Sequence, residues 1–397
     1  MMTKRLYYED AYQQEFDAVV IACAGNGKGL YEIELDQSAF YPEGGGQGGD
    51  SGTLIPDDSD LKILVTDTQE KDGRIFHIAD QPLEPGTVIK GRIDFQKRFG
   101  RMQNHSGEHI VSGLVNSRYG YNNVGFHMGS DAVTIDFDGE LSMEQLREIE
   151  AKANEAVWEN KEVQISVYDE KDCAGMTYRS KKELHGEVRI VTFPGYDVCA
   201  CCGTHVKHTG EIGLIRIISV ERFRGGVRVE MLCGKEAFEY DTMMVEQNHQ
   251  VSVALSAKPS LTGEAVCRLK ENASTDAFRV LEMEKEINAL RAKMLKDEGN
   301  VLILDEGKTP DSLRRLADAV MSTCGGIACV FCIEGENARY AMGQADGDLK
   351  ELTRQMNESL DGRGGGKPFF VQGSCHASRD KILTWAKESG LNWKIIC

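Results

Sequence analysis

The sequence has no run of about 18 apolar residues, the length a membrane-spanning helix needs, so no membrane span is expected. Its opening residues, MMTKRLYYEDAYQQEF, hold no apolar stretch of the kind a secretory signal requires. The twelve cysteines lack the spacing of a small disulfide scaffold. In a chain of 397 residues they are expected as free thiols or metal ligands of a cytoplasmic protein. Phosphate loops are missing too: there is no G-K-[ST], and no G-x-G-x-x-G leading into a helix. No internal repeat and no low-complexity segment is present. An excess of cations is also lacking. The net charge of −17 argues against a nucleic-acid partner as a global property. Local patches are still available at RSKKELHGEVR (179–189), CCGTHVKH (201–208) and RFRGGVR (222–228), each otherwise read as a solvated face.

What is present suits a soluble globular protein of two or three domains, with 41% hydrophobic and 27% charged residues. Residues 1–95 hold short β-branched runs: AVVIAC (18–23), LYEIEL (30–35), LKILVTD (61–67), RIFHIA (74–79) and TVIKGRID (87–94). Turn residues bound them, which predicts a small β-barrel. Near residue 96 the period changes to that of a helix. A second amphipathic helix covers 143–160, and VQISVYD, VRIVTFP, GLIRIISV and VRVEMLCG read as strands. Residues 96–245 are therefore expected as an α+β layer domain.

Residues 246–299 read as a helical linker. Val280, Met283, Ile287, Leu290 and Met294 alternate at spacings of three and four, a seam of about two heptads. It serves either a homodimer or packing on the same chain. Residues 300–397 alternate strand and helix runs, which predicts an α/β domain.

The chemistry concentrates at two places. MQNHSGEHIVSGL (102–114) sets His105 and His109 four residues apart on one helical face. DVCACCGTHVKH (197–208) gathers Cys199, Cys201, Cys202, His205 and His208 into twelve residues. Thiolate and imidazole are the donors zinc prefers. Cys201 and His205 repeat the four-residue spacing, so the two pairs together offer three nitrogens and one sulfur to a single Zn2+. HSGEH also fits H-x-x-E-H, the pattern of a zinc peptidase with Glu108 as base. Such a site takes a carboxylate as third ligand and would leave the cysteine cluster without a role. Glu108 is read instead as a helix-surface residue. Upstream, six glycines fall within nine positions, 44–52, in DQSAFYPEGGGQGGDSG. They form either a tight turn or a backbone wall to a pocket.

The order FYPEGGGQGGD, HSGEH, CCGTH and GEIGLIRI…GGVRVEMLCG resembles the editing module of alanyl-tRNA synthetase and of the free-standing alanyl-tRNA editing proteins of the AlaX family. LDGRGGGKPFFVQGS (360–374) resembles the DHH-associated domain that ends those synthetases. With no room before residue 20 for an aminoacylation domain, the long free-standing form is the expectation. Two positions depart from the family pattern: Ser38 stands where Thr is common, and Cys202 replaces a glycine.

The resemblance implies an α+β fold in which barrel, zinc-binding editing domain, linker helix and DHH-associated-like domain follow in order. It implies a zinc-dependent hydrolase that removes serine, and in some cases glycine, from wrongly charged tRNA(Ala). An alanine pocket cannot strongly exclude an isostere bearing a hydroxyl, so a second site must. His105, His109, Cys201 and His205 are the expected ligands of one zinc ion per chain. Ser38 and Gln47 are the candidate catalytic and substrate-contact residues. Arg363 and Lys367, among glycines that could cradle a phosphate, are the candidate tRNA contacts. A homodimer through the linker helix or the C-terminal domain is the further partner. The competing readings are the H-x-x-E-H peptidase and a non-catalytic zinc protein that binds tRNA.

Overall fold

A computed structural model of the chain describes residues 2–27, 29–59, 61–129, 132–173, 175–180 and 186–397. The chain divides into two compact units, Met1–Gln250 and Val251–Cys397. No helix among the described residues is long and apolar enough to cross a membrane.

The first unit opens with a closed six-stranded barrel, the form expected from its short strands. Around the barrel run Glu15–Gly25, Tyr31–Leu35, Arg74–Ala79, Ile63–Lys71, Gly52–Pro56 and Val88–Ile93. Strict alternation in Val88–Ile93 buries every second side chain. Ile33, Leu35, Phe40, Leu54, Ile63 and Val65 fill the interior. Strand Gly52–Pro56 was not among the predicted runs. It is short, starts on the last glycine of the glycine loop and ends on a proline, so its composition reads as a turn.

Helix Phe95–Tyr119 follows the barrel. Asp94 caps it by accepting the Lys97 amide at 3.1 Å, and Gly120 closes it in the left-handed region at φ 74°. Its buried face carries Met102, His105, His109, Ile110 and Val111. Helix Met143–Glu159 starts from a reciprocal capping box between Ser142 and Gln145. Both helices pack on an antiparallel sheet in the order Ile215–Phe223, Gly226–Cys233, Val133–Phe137 and Asn123–Met128. A separate three-stranded sheet holds Gln164–Asp169, Glu187–Phe193 and Asp197–Ala200. The four strands expected in one layer are thus shared between two sheets. The hairpin Asn123–Met128/Val133–Phe137 supplies the missing strands of the larger one.

The second unit begins within helix Gly234–Ala254 and includes the 33-residue helix Thr262–Met294. The five seam residues of the long helix are exposed, and its buried positions are Ala265, Asn288 and Ala292. Packing on the same chain therefore uses small residues of another face, not the seam. A six-stranded mixed sheet follows in the order Gly362–Lys367, Phe370–Cys375, Asn337–Gly343, Gly325–Glu334, Gly299–Asp305 and Trp393–Ile396. The glycine-rich segment expected as a cradle or a turn is its edge strand, paired in register with Phe370–Cys375.

Candidate metal centre and its surroundings

Helix Phe95–Tyr119 and the loop after strand Asp197–Ala200 meet in the core of the first unit. One donor atom from each of His105, His109, Cys201 and His205 lies within 4.8 Å of the other three. The Cys201 sulfur is 3.5 Å from His105 Nε2 and 3.4 Å from His205 Nε2. A tetrahedral ion with zinc-like bonds has donor–donor edges of about 3.3–3.6 Å. The donor chemistry and spacing of these residues therefore fit zinc.

The outer contacts orient the imidazoles. His109 Nδ1 lies 2.8 Å from the Asp197 carboxylate and His105 Nδ1 lies 2.9 Å from Gln47 Oε1. His205 Nδ1 lies 3.3 Å from Ser106 Oγ. The Gln47 amide cannot be turned round. The Thr204 N–H, a donor only, points at its Oε1 at 3.2 Å, while its Nε2 donates to Thr204 Oγ1 at 2.8 Å. A proton on Nδ1 of His105 and His109 then leaves each Nε2 lone pair free for an ion, the arrangement found around metal-bound histidines. Rings close the shell: Phe126 stacks on His105 at 5.0 Å and Phe193 on His109 at 5.4 Å.

The electrostatics follow from this crowding. Burial opposes ionisation of the Cys201 thiol, but the three histidines outweigh it and hold its pKa well below the ordinary value. Burial likewise opposes charge on His109. The Cys201 sulfur and Asp197 overcome it and raise the imidazole well above its usual range. His205 is pushed down to about 3, first by burial and then by His105. Asp197 stays below the usual carboxylate range despite its burial, held by Arg179 and His109. Both Arg179 contacts to it are 2.7 Å.

The glycine loop is a wall of this site. Gly46 takes φ +90°, and a Cβ there would lie 2.5 Å from the Phe126 carbonyl oxygen. Gly203 packs against the His105 ring, where a Cβ would be 2.1 Å from Cε1. The buried Arg98–Asp50 pair anchors the loop. Asp50 also accepts the Tyr41 amide at 2.7 Å, and Arg98 donates to the carbonyls of Ala39 (2.6 Å) and Ala11 (3.0 Å).

Gln47 is thus brought onto the donor cluster. Ser38 sits inside the barrel, its Oγ 2.7 Å from His77 Nε2 and accepting the Phe40 amide at 3.1 Å. Glu108 is not a helix-surface residue. It is buried and accepts from Ser112 Oγ at 2.5 Å and from the Asn123 amide. Its position one residue before His109 turns it toward the Asn123 strand. Cys199 is buried behind His109, and Cys202 is exposed. Arg363 and Lys367 lie on the exposed edge strand of the second unit. Of the basic stretches, residues 181–185 lie outside the described residues. Arg189 donates to the carbonyls of Cys201 (2.7 Å) and Gly203 (3.0 Å), and Arg228 pairs with Asp136 at 2.7 Å. Asp197, Arg179, Ser106 and Thr204 escaped the sequence reading as functional residues. Asp197 had a signal: it is a carboxylate two positions from the first cysteine of a Cys/His cluster.

By sequence the chain is related to alanyl-tRNA synthetases. Residues 188–230 match the family described as the threonyl and alanyl tRNA synthetase second additional domain. Residues 9–97 match that of class II (A) tRNA synthetases. The chain is a homologue of the alanyl-tRNA editing proteins. It is 29% identical over 407 residues to the alanyl-tRNA editing protein AlaX-L of Pyrococcus horikoshii, covering 98% of both chains. The alanine–tRNA ligase of Methanoregula boonei is 31% identical over 94% of this chain and 41% of its own. That of Ignicoccus hospitalis is 28% identical over 96% and 42%. The chain thus spans about two fifths of the ligases it matches. The solved C-Ala domain of Aquifex aeolicus alanyl-tRNA synthetase is 24% identical over 24% of this chain and 95% of that domain, with a TM-score of 0.21.

Proposed function

We propose that the chain is a zinc-dependent aminoacyl-tRNA deacylase that hydrolyses the ester of serine, and of glycine, on tRNA(Ala). The observation that carries this reading is the four-donor cluster walled by the glycine loop, in a homologue of an alanyl-tRNA editing protein. His105, His109, Cys201 and His205 would hold the ion. Held by all four, zinc would be closed and would orient the substrate amine or a nearby water; with one donor released, it would supply a Lewis acid or a water of lowered pKa. The chain's own residues do the rest. Asp197 and Gln47 fix the imidazoles, Arg179 keeps Asp197 ionised, and the Phe126 and Phe193 rings exclude water from two sides. Gln47 acts as a positioning residue. The hydroxyl contact expected of Ser38 rests on motif position. Ser38→Ala should narrow the preference for seryl over alanyl ester if that contact exists.

Glu108 supports this reading over a peptidase. Its carboxylate is committed to Ser112 and Asn123, and the donor cluster contains no carboxylate. For the second unit the reading is a DHH-associated-like domain that holds tRNA through Arg363 and Lys367. The exposed seam of helix Thr262–Met294 supports homodimerisation, which sedimentation of a Leu290→Glu variant tests. The domain reading keeps a barrel over 1–95, an editing domain over 96–245, a linker over 246–299 and a C-terminal domain over 300–397.

The deciding experiment gives purified protein seryl-tRNA(Ala), with and without chelator, beside a peptide substrate and a metal analysis. Chelator-sensitive release of serine and no peptide cleavage are expected. Binding of tRNA without turnover would leave the non-catalytic reading. Full activity in a zinc-free His105→Ala variant would end the proposal.

A further inference from the structure

The edge strand Gly362–Lys367 of the second unit borders a groove of about 610 Å³ whose other wall is helix Lys350–Ser359. It stands first in its sheet, and among the described residues no further strand pairs with it. The short turn Pro368–Phe369 makes Lys367 and Phe370 a pair that exchanges both hydrogen bonds. Such pairs alternate, so Gly365 and Arg363 also bond inward. The N–H and C=O groups of Gly362, Gly364 and Gly366 then point away from the sheet, along the groove.

Side chains alternate between the two faces of the strand. On the helix side the unit's own packing requires glycine. A Cβ on Gly362 would lie 2.6 Å from Asn357 Oδ1, and one on Gly366 2.3 Å from the Phe370 carbonyl oxygen. Gly365 is different. A Cβ there meets nothing within 4 Å, so nothing inside the unit calls for glycine. A bare strand position of this kind leaves room for the side chain of another backbone. Arg363 and Lys367 flank it on the same face.

The open backbone groups select a peptide. They offer donors and acceptors in turn, whereas a phosphodiester supplies acceptors only. The charges select an acidic one. Among the described residues Lys350, Arg363 and Lys367 are in no ion pair, while Arg354 is held by Glu351 and Glu358 at 2.6 Å each. Of the carboxylates on the groove, Glu358 and Asp361, only Asp361 is left to face these cations. A second copy of this strand is disfavoured by the same charges. Centred on Gly365, antiparallel self-pairing sets Arg363 opposite Lys367.

We propose that this edge takes up an extended acidic peptide of another protein as an added strand, antiparallel to Gly362–Lys367. Two of its acidic side chains, at positions i and i+4, meet Arg363 and Lys367, and the residue midway between them covers Gly365. The inference does not depend on the deacylase reading. It shares Arg363 and Lys367 with the tRNA reading, so bound peptide and bound tRNA exclude each other on this strand.

The test uses the full chain and a fluorescein-labelled peptide, acetyl-SETFTES-amide, followed by anisotropy and by hydrogen exchange. Binding should slow amide exchange within Gly362–Lys367. An analogue N-methylated at both threonines keeps every charge but loses the amides that face Gly364 and Gly366. It should bind about tenfold more weakly or worse, and so should the Arg363→Glu, Lys367→Glu double variant toward the unmodified peptide. The analogue tests the backbone bonds without altering the protein. Equal affinity for peptide and analogue would reduce the contact to charge attraction and overturn the inference. So would slowed exchange confined to other segments. A single-stranded RNA oligonucleotide that slows exchange at this strand where the peptide does not would give the edge to nucleic acid, and also overturns it.

Discussion

Two glycine-rich segments of this chain look alike in composition and do different work. Residues 44–52 hold six glycines, and Gly362–Lys367 holds four. In the first, the backbone is pressed against Phe126, and Gln47 is bonded to His105. In the second, the close approach serves a sheet. A Cβ on Gly364 would lie 2.4 Å from both the Gln372 carbonyl and the Tyr340 hydroxyl. Glycine density therefore marks where something comes close to the chain. What comes close, the Phe126 strand beside the donor cluster or a tyrosine of the sheet, decides what the segment serves.

The largest effect should come from removing one of the donors that the first region walls. His109→Ala is expected to drop zinc to background and with it serine release, read by metal analysis and a deacylation assay. Retained zinc would break the comparison outright. Next comes the outer contact. Gln47→Ala should cost about 10- to 100-fold in metal affinity or activity, the usual effect of losing such a partner. A chelator competition titration measures it.

Overpacking separates the surroundings of the donor cluster from the edge strand more finely. Gly203→Ala and Gly364→Ala should each destabilise their own unit by about 1–3 kcal/mol, followed by denaturant unfolding. Only the first should lose zinc, because only its new methyl meets a ligand ring.

The pH dependence is smaller and its sign follows from the shifts. His109 is held above the ordinary histidine range by the Cys201 sulfur and Asp197. Cys201 and His205 are both held below their ordinary values, which favours their metal-binding forms. An ion must displace the proton held on His109. Affinity should therefore rise with pH until the raised His109 value is passed and level off beyond it. A chelator competition titration across pH measures this, and an affinity that falls as pH rises would contradict the assignment. Least of all, Arg363→Ala with Lys367→Ala should change stability by no more than about 0.5 kcal/mol. It should lower the slope of tRNA affinity against salt by about two. An unchanged slope would remove these cations from the interface.

Much of the fold was legible because its signals are local. The barrel strands announced themselves by β-branched runs between turn residues, and the two helices by their period. The hairpin Asn123–Met128/Val133–Phe137 stayed hidden, since NNVGFHM carries polar residues and a glycine where a strand pattern needs apolar alternation. The exposed seam of the long helix was legible as a seam but not as exposed, because a periodic pattern does not say what covers it. Glu108 shows the same limit. It was read as a surface residue once the peptidase pattern was set aside, and the contacts with Ser112 and the Asn123 strand bury it.

The sequence by itself determined the donor types, their four-residue spacing on each segment and the glycines that let backbone come near. These are properties of short stretches, set by side-chain chemistry and helical pitch. Only the tertiary structure joined Cys201 to His105 across 96 residues, turned Asp197 and Gln47 onto the imidazoles, and spent one glycine segment on a site and the other on a sheet. Such contacts arise from how helix and sheets pack. Packing depends on the whole set of buried surfaces rather than on any one motif.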